Sequence, residues 1–312
     1  MGSQARQTRR TKKKLLCHIP IVLPASKSSY KEDKAIGENF YDWVNGSWAQ
    51  HVAPPPFESS FGVSEEVERC IVSASKKILN SEKCPRMYKD FRDSCMDSGN
   101  TSIEYLKEIL QEVSCIKTPD DVFKAFADLC KRGYPSIFSI AYEIDADRTA
   151  RLSINDSVPG LTPSYYTDNG IVTHYKVLME KLAEAFGMDL PKIFNLESNL
   201  ANKSYEVSSE VKLKIRGSRL ENKFPRIPWA LWFSVLGIEG WRSMTLYYTS
   251  PRWIRYIGKT VRQVPLEYWR LYLARCHIIN NLMYLPAPFC DLHFNFFGKI
   301  INGQKEATPR EE

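Results

Sequence analysis

The stretch TPDDVFKAFADL, Thr118 to Leu129, carries a helix start and a helix face in twelve letters. Thr118 and Asp121 stand three residues apart, so their side chains can satisfy backbone N–H groups that the first helical turn leaves open. Pro119 falls at the one helical position that loses nothing from its missing N–H. Val122, Phe126 and Leu129 then recur at four and three residues, which aims one apolar stripe at a core.

The same period repeats on the N-terminal side. Val67, Ile71, Ala74 and Ile78 predict a helix starting near Ser64, and Tyr88, Phe91 and Cys95 share one face of a second. Thr101 with Glu104 can form a capping box ahead of Ile103, Leu106, Leu110 and Val113. Before these, Phe40, Tyr41, Trp43 and Trp48 crowd around Asn45 and Gly46, and Pro54, Pro55 and Pro56 forbid a regular helix. That reads as a short aromatic anchor followed by a stiff turn.

Beyond Leu129 the period shortens. Ile140, Tyr142 and Ile144, then Ala150, Leu152 and Ile154, alternate on either side of the Asp145 to Thr149 turn and predict a small hairpin. Asp145 and Asp147 do not make a calcium loop, because its glycine and closing glutamate are absent. Pro159, Gly160 and Pro163 mark a loop before Tyr165 and Tyr166. Helical spacing returns at Tyr175, Leu178, Leu182 and Phe186, continues less regularly from Ile193 through Leu213, and closes with a helix from Pro265 that holds Trp269, Leu273 and Cys276. Between them, Phe224 to Leu236 is an aromatic run interrupted by Pro225 and Pro228. The expected fold is mainly α, with an early helical lobe, a small β-hairpin insert and a later aromatic-rich helical portion.

Composition sets the remaining limits. The chain has 312 residues, 43% of them apolar, and a formal charge of +7. Arg6, Arg9, Arg10, Lys12, Lys13 and Lys14 account for nearly all of that charge, so residues 1–35 read as a basic leader and the body is close to neutral. The leader lacks aromatic interleaving and precedes no nucleic-acid-binding pattern, so no specific nucleic acid is expected as a partner. Leu15 to Pro24 is shorter than the roughly 20 apolar residues that cross a bilayer, and no transmembrane span is expected. Eight cysteines lack the close pairing of a zinc ribbon or redox motif. Asn45, Asn100, Asn155 and Asn202 each open a glycosylation sequon, which is informative only in an exported chain, and the compartment stays open.

Catalytic chemistry finds no purchase. None of His18, His51, His174, His277 and His293 is followed by glutamate, so the two-histidine helical turn with its adjacent general base is absent. No nucleophile-elbow pattern is present. The sequence offers no catalytic, cofactor-binding or metal-ligating residue.

Four segments carry a family resemblance. ENFYDWVNGSW at Glu38 to Trp48 resembles the start of the ectodomain of the neprilysin-like M13 zinc metallopeptidases. FRDSCMDSG at Phe91 to Gly99, VPGLTPSYYTDNG at Val158 to Gly170 and FNFFGKIINGQKEATPR at Phe294 to Arg310 are similar to that family's helix-end segment, its loop ending in paired tyrosines, and its return strand with glycine turn. They occur in the family's order. The resemblance assigns residues 36–312 to an M13 N-terminal-like domain, a helical lid over an internal cavity, and places the sequence end before the zinc-binding helices.

The resemblance implies zinc in complete family members and none held by this chain. It also marks departures. Ser60 stands where relatives commonly place an arginine near the substrate pocket. Cys95 aligns with a cysteine that exported relatives use in a disulfide, whose partner would lie beyond Glu312, and Gly37 is close to the place of an early family cysteine. The function implied is a non-catalytic scaffold or cavity lid. The alternatives are one half of a split zinc endopeptidase, whose partner is the catalytic half, and a decoy that binds a full-length M13 peptidase or captures a peptide. Trp229, Trp232, Phe233, Phe294, Phe296 and Phe297 are candidates for an exposed lid face, against the plainer expectation that they pack in an intramolecular core.

Overall fold

The computed structural model describes residues 37–97, 103–208 and 211–309. These gather into two compact units, residues 37–97 with 302–309, and residues 103–301. The basic leader, His18, the Thr101 half of the expected capping box and the Asn100 sequon lie outside the described residues.

The first unit contains α1 (Phe40–His51), α2 (Val63–Leu79) and α3 (Arg86–Met96). The aromatic anchor is itself helical: the Asn39 side chain accepts from the Asp42 N–H and starts α1. Trp48 is buried and stacks on Phe61 at 6.3 Å, whereas Phe40 and Tyr41 remain exposed, so the anchor is narrower than the sequence suggests. Pro54 to Pro56 stay outside any helix. Residues 304–306 close the unit, with the N–H groups of Lys305 and Glu306 donating to Pro56 O at 2.8 and 3.1 Å and Gln304 Nε2 donating to Phe57 O at 2.6 Å. α2 and α3 have the expected periods, but their apolar residues do not reach a core. Ile71, Ile78, Tyr88 and Phe91 are 60, 62, 53 and 71% exposed.

The second unit opens with α4 (Glu104–Ser114) and α5 (Pro119–Lys131). The Thr118–Asp121 capping box is formed in both directions, and Val122, Phe126 and Leu129 are fully buried. The hairpin follows as β1 (Phe138–Ile144) and β2 (Ala150–Asp156), with Ile140 opposite Ile154 and Tyr142 opposite Leu152. Then come α6 (Asn169–Phe186) and α7 (Phe194–Val207). The helix expected to run on to Leu213 stops at Val207, and Leu213 begins β3 (Leu213–Arg216). Four residues are too few for a period of two to stand out.

α8 (Leu220–Lys223), α9 (Trp229–Leu236) and β4 (Thr245–Tyr248) come next. The hairpin is thus half of a four-stranded sheet of order β1-β2-β4-β3, with β2 and β4 parallel and the other pairs antiparallel. Gly217 lies so close beneath Trp241 that an added Cβ would meet its carbonyl oxygen at 1.9 Å.

α10 (Pro251–Gln263), α11 (Leu266–Asn281) and α12 (Ala287–His293) complete the helical part. Trp229, Trp232, Phe233, Trp253 and Trp269 are fully buried, and Trp253 Nε1 donates to Ile137 O at 2.8 Å, fastening α10 to the approach to β1. Of the six aromatic candidates for an exposed face, Trp229, Trp232, Phe233 and Phe296 are therefore core residues, and Phe294 and Phe297 are half-buried. Phe294–Ile301 is a π-helix rather than the expected return strand. Phe296, Phe297, Ile300 and Ile301 fall on one helical face, a spacing that strand alternation cannot use. Gly303 turns the chain with φ 68°.

Candidate functional site

Charge is scarce in the interior of the second unit, and where it occurs it is concentrated. Glu197 of α7 and Arg275 of α11 are 0 and 3% exposed, and Arg275 Nη2 lies 2.8 Å from Glu197 Oε1. The Tyr175 hydroxyl from α6 donates to Glu197 Oε2 at 2.7 Å and accepts from Arg275 Nε and Nη2 at 3.1 and 2.9 Å. No N–H is aligned on Oε1, so the contact there is ionic only.

The loop 158–166 is held over this pair. Tyr166 OH accepts from the Leu161 N–H at 3.1 Å, and Tyr272 OH donates to Pro159 O. Gly160 passes so close that an added Cβ would meet Tyr166 OH at 2.9 Å and Glu197 Oε1 at 3.3 Å, and its φ of 149° also favours glycine.

Burial pushes the Glu197 carboxyl up, while Arg275, Tyr175 and Tyr166 oppose that rise. Burial alone would lower Arg275, but Glu197 and Tyr175 more than offset it and the guanidinium stays charged. Tyr166 and Tyr175 are raised, first by desolvation, and remain phenols. With every member shielded from solvent, this set fixes a loop and has no open position for a substrate. The sequence reading missed Glu197 and Arg275. Glu197 continues the α7 stripe of Ile193, Leu200, Ser204 and Val207, so a charge on an apolar face was the available signal. Arg275 had none, because residues 272–278 of α11 are all buried.

Ser60 lies in the first unit, lining a cleft of about 270 Å³ with Phe57, Glu58, Glu65, Arg69 and Gln304. Its hydroxyl donates to Glu65 Oε1 at 3.4 Å. A guanidinium does stand in this cleft, supplied by Arg69 of α2. It lies 4.5 Å from the Phe61 ring centroid and 3.4 Å from Glu58 Oε1.

The described histidines sit on four helices: His51 on α1, His174 on α6, His277 on α11 and His293 on α12. His51 Nδ1 lies 2.7 Å from Ser47 O. Desolvation lowers His277 to about 4, with Arg132 adding to that effect, and His277 Nδ1 is buried without a hydrogen-bond partner. Among the described residues, no three His, Cys, Asp or Glu side chains gather where a metal ion could be held. This donor set does not fit zinc, which takes at least three protein ligands in its catalytic sites.

The sequence profile of peptidase family M13, N-terminal part, matches residues 36–312. The chain belongs to peptidase family M13. No curated protein matches it. Its fold is similar to the zinc metalloprotease ZMP1 of Mycobacterium tuberculosis in complex with inhibitor, at a TM-score of 0.79 and 15% identity over 93% of this chain and 49% of that one. The open state of ZMP1 gives 0.69 at 14% identity, over 89% of this chain and 48% of that one. PepO from Lactobacillus rhamnosis HN001 gives 0.63 at 14% identity, with the same two coverages. The M13 chain described here spans about half the length of these solved structures. Among its described residues, no helix is long and apolar enough to cross a membrane.

Proposed function

We propose that this chain provides the non-catalytic N-terminal part of an M13 peptidase architecture, a scaffold and cavity lid, and does not by itself hydrolyse peptides. The observation that carries the reading is the extent of the match: residues 36–312 all belong to the family's N-terminal region, and they span half of the zinc metalloproteases they resemble. The dispersed histidines support it, since zinc-dependent hydrolysis needs ligands converging on one ion. The buried Glu197–Arg275 set fits a scaffold role, because it stiffens a loop rather than facing a substrate.

Exposed apolar positions on α2 and α3 support a partner of the kind that completes this fold, the catalytic half of an M13 peptidase. The test is hydrolysis of a quenched mixed-peptide library by the purified chain, with and without zinc, beside a full-length family member. The expected result is no zinc-dependent turnover by this chain and robust turnover by the control. Zinc-dependent turnover that is lost on replacing the five histidines by alanine overturns the proposal.

A further inference from the structure

The second unit carries a basic cleft of about 640 Å³ that neither the buried ion pair nor the family match accounts for. Its wall includes Lys214, Ile215 and Arg216 of β3, then Arg219, Asn222 and Lys223 from the turn and α8 that follow, and no carboxylate lines it. Successive strand side chains alternate faces, so a cleft touched by three consecutive β3 residues and by α8 runs along the strand's margin. That margin is open: β3 ends the sheet, and among the described residues it pairs only with β4.

The cations there are only partly compensated. Lys214 Nζ reaches Asp145 Oδ2 at 2.7 Å, and Lys223 Nζ donates to the Tyr248 hydroxyl rather than to a carboxylate, at 2.5 Å. Arg216 and Arg219 are exposed, and neither forms an ion pair with a described carboxylate. The nearby Glu221 is engaged by Arg242 at 2.8 Å. A strand edge thus offers unpaired backbone donors and acceptors beside unneutralised guanidinium groups.

We infer that the free edge of β3 is a docking site for an acidic peptide in extended conformation, which adds a strand to the sheet and places carboxylates against Arg216, Arg219 and Lys223. Strand addition draws affinity from main-chain hydrogen bonds and specificity from alternate side chains. At about 3.4 Å per residue, β3 matches roughly four peptide residues, and carboxylates two residues apart recur on one face at about the spacing of alternate strand positions.

The test titrates the full chain with a fluorescent peptide of alternating threonine and glutamate. The comparisons are its glutamine analogue, a version N-methylated on alternate backbone amides, tripolyphosphate, and phosphatidylcholine vesicles containing phosphatidylserine. We expect salt-sensitive binding of the glutamate peptide, weakened about tenfold or more by the glutamine exchange, by N-methylation of one edge, and by R216E with R219E. Circular dichroism checks that the double variant is folded, and N-methylation tests the same point on the unaltered protein. Binding unchanged in R216E/R219E assigns the affinity to cations elsewhere, including the leader, and overturns the inference. Indifference to N-methylation, or equal retention of tripolyphosphate or vesicles, overturns it as well.

Discussion

Glu197 and Arg275 each make sense only in the presence of the other. Removing one partner of a buried pair leaves an uncompensated charge in a medium that solvates it poorly, at a cost of about 3–5 kcal/mol. Glu197→Gln is therefore expected to lower the urea midpoint steeply. Replacing both members, as Glu197→Leu with Arg275→Met, should cost much less than the sum of the single changes, because no charge is stranded. His277 gives the chain a pH response of known sign. Its folded pKa, about 4, lies below the ordinary 6.5, so between those values the unfolded chain binds more protons than the folded one. Stability contributed by this group rises as pH climbs from about 4 to 6.5 and is lost on acidification, by up to about 3 kcal/mol. His277→Leu should flatten that part of the pH dependence of chemical denaturation; an unchanged slope would assign it to other groups.

At the scale of elements, legibility followed local signal strength. α5 was readable because Thr118, Pro119 and Asp121 each announce a helix start before an apolar stripe, and Thr118→Ala is expected to cost about 1 kcal/mol in thermal unfolding. The hairpin was readable because seven-residue strands show their alternation. β3 and β4 span four residues each, and their pairing across the second unit is a tertiary fact with no local trace. Gly217 belongs with them. Its Cα–Trp241 approach is enforced by packing, and Gly217→Ala should destabilise far more than an ordinary loop substitution, as thermal denaturation would register. For the candidate site the balance was different: the paired tyrosines and Gly160 loop were marked in the sequence, while the ion pair beneath them was not, since a charge on a helix is ordinarily solvent-facing. The return strand expected at Phe294 failed because a segment similar to a family strand carries a helical spacing here.

For the molecule as a whole, the two units differ in completeness. The second closes its core around buried tryptophans, whereas the first leaves Val67, Ile71 and Ile78 on α2 and Met87, Tyr88 and Phe91 on α3 in contact with water. A surface position of this kind contributes little to intrinsic stability, so Val67→Asp with Ile71→Asp should shift unfolding by no more than about 0.5 kcal/mol per site. On the proposed reading the same pair abolishes association with the catalytic half of an M13 peptidase, measured by sedimentation of the mixed halves; association unchanged in the variant counts against that partner. Loss of folding in that variant would mean that α2 already buries its stripe within this chain.

The first unit is assembled from two stretches far apart in sequence: Pro56 and Phe57 receive hydrogen bonds from residues 304–306. On the ribosome residues 304–306 emerge only after the whole of the second unit has been made. The contiguous middle can therefore fold while the chain is still being synthesised, whereas α1–α3 must wait without their closing segment. Throughout that interval the Pro56–Phe57 turn lacks the hydrogen bonds that fix it, so the stacking of Trp48 on Phe61 forms without that brace. Emergence of residues 304–306, rather than emergence of α3, then becomes the moment at which the turn after α1 gains its last hydrogen bonds.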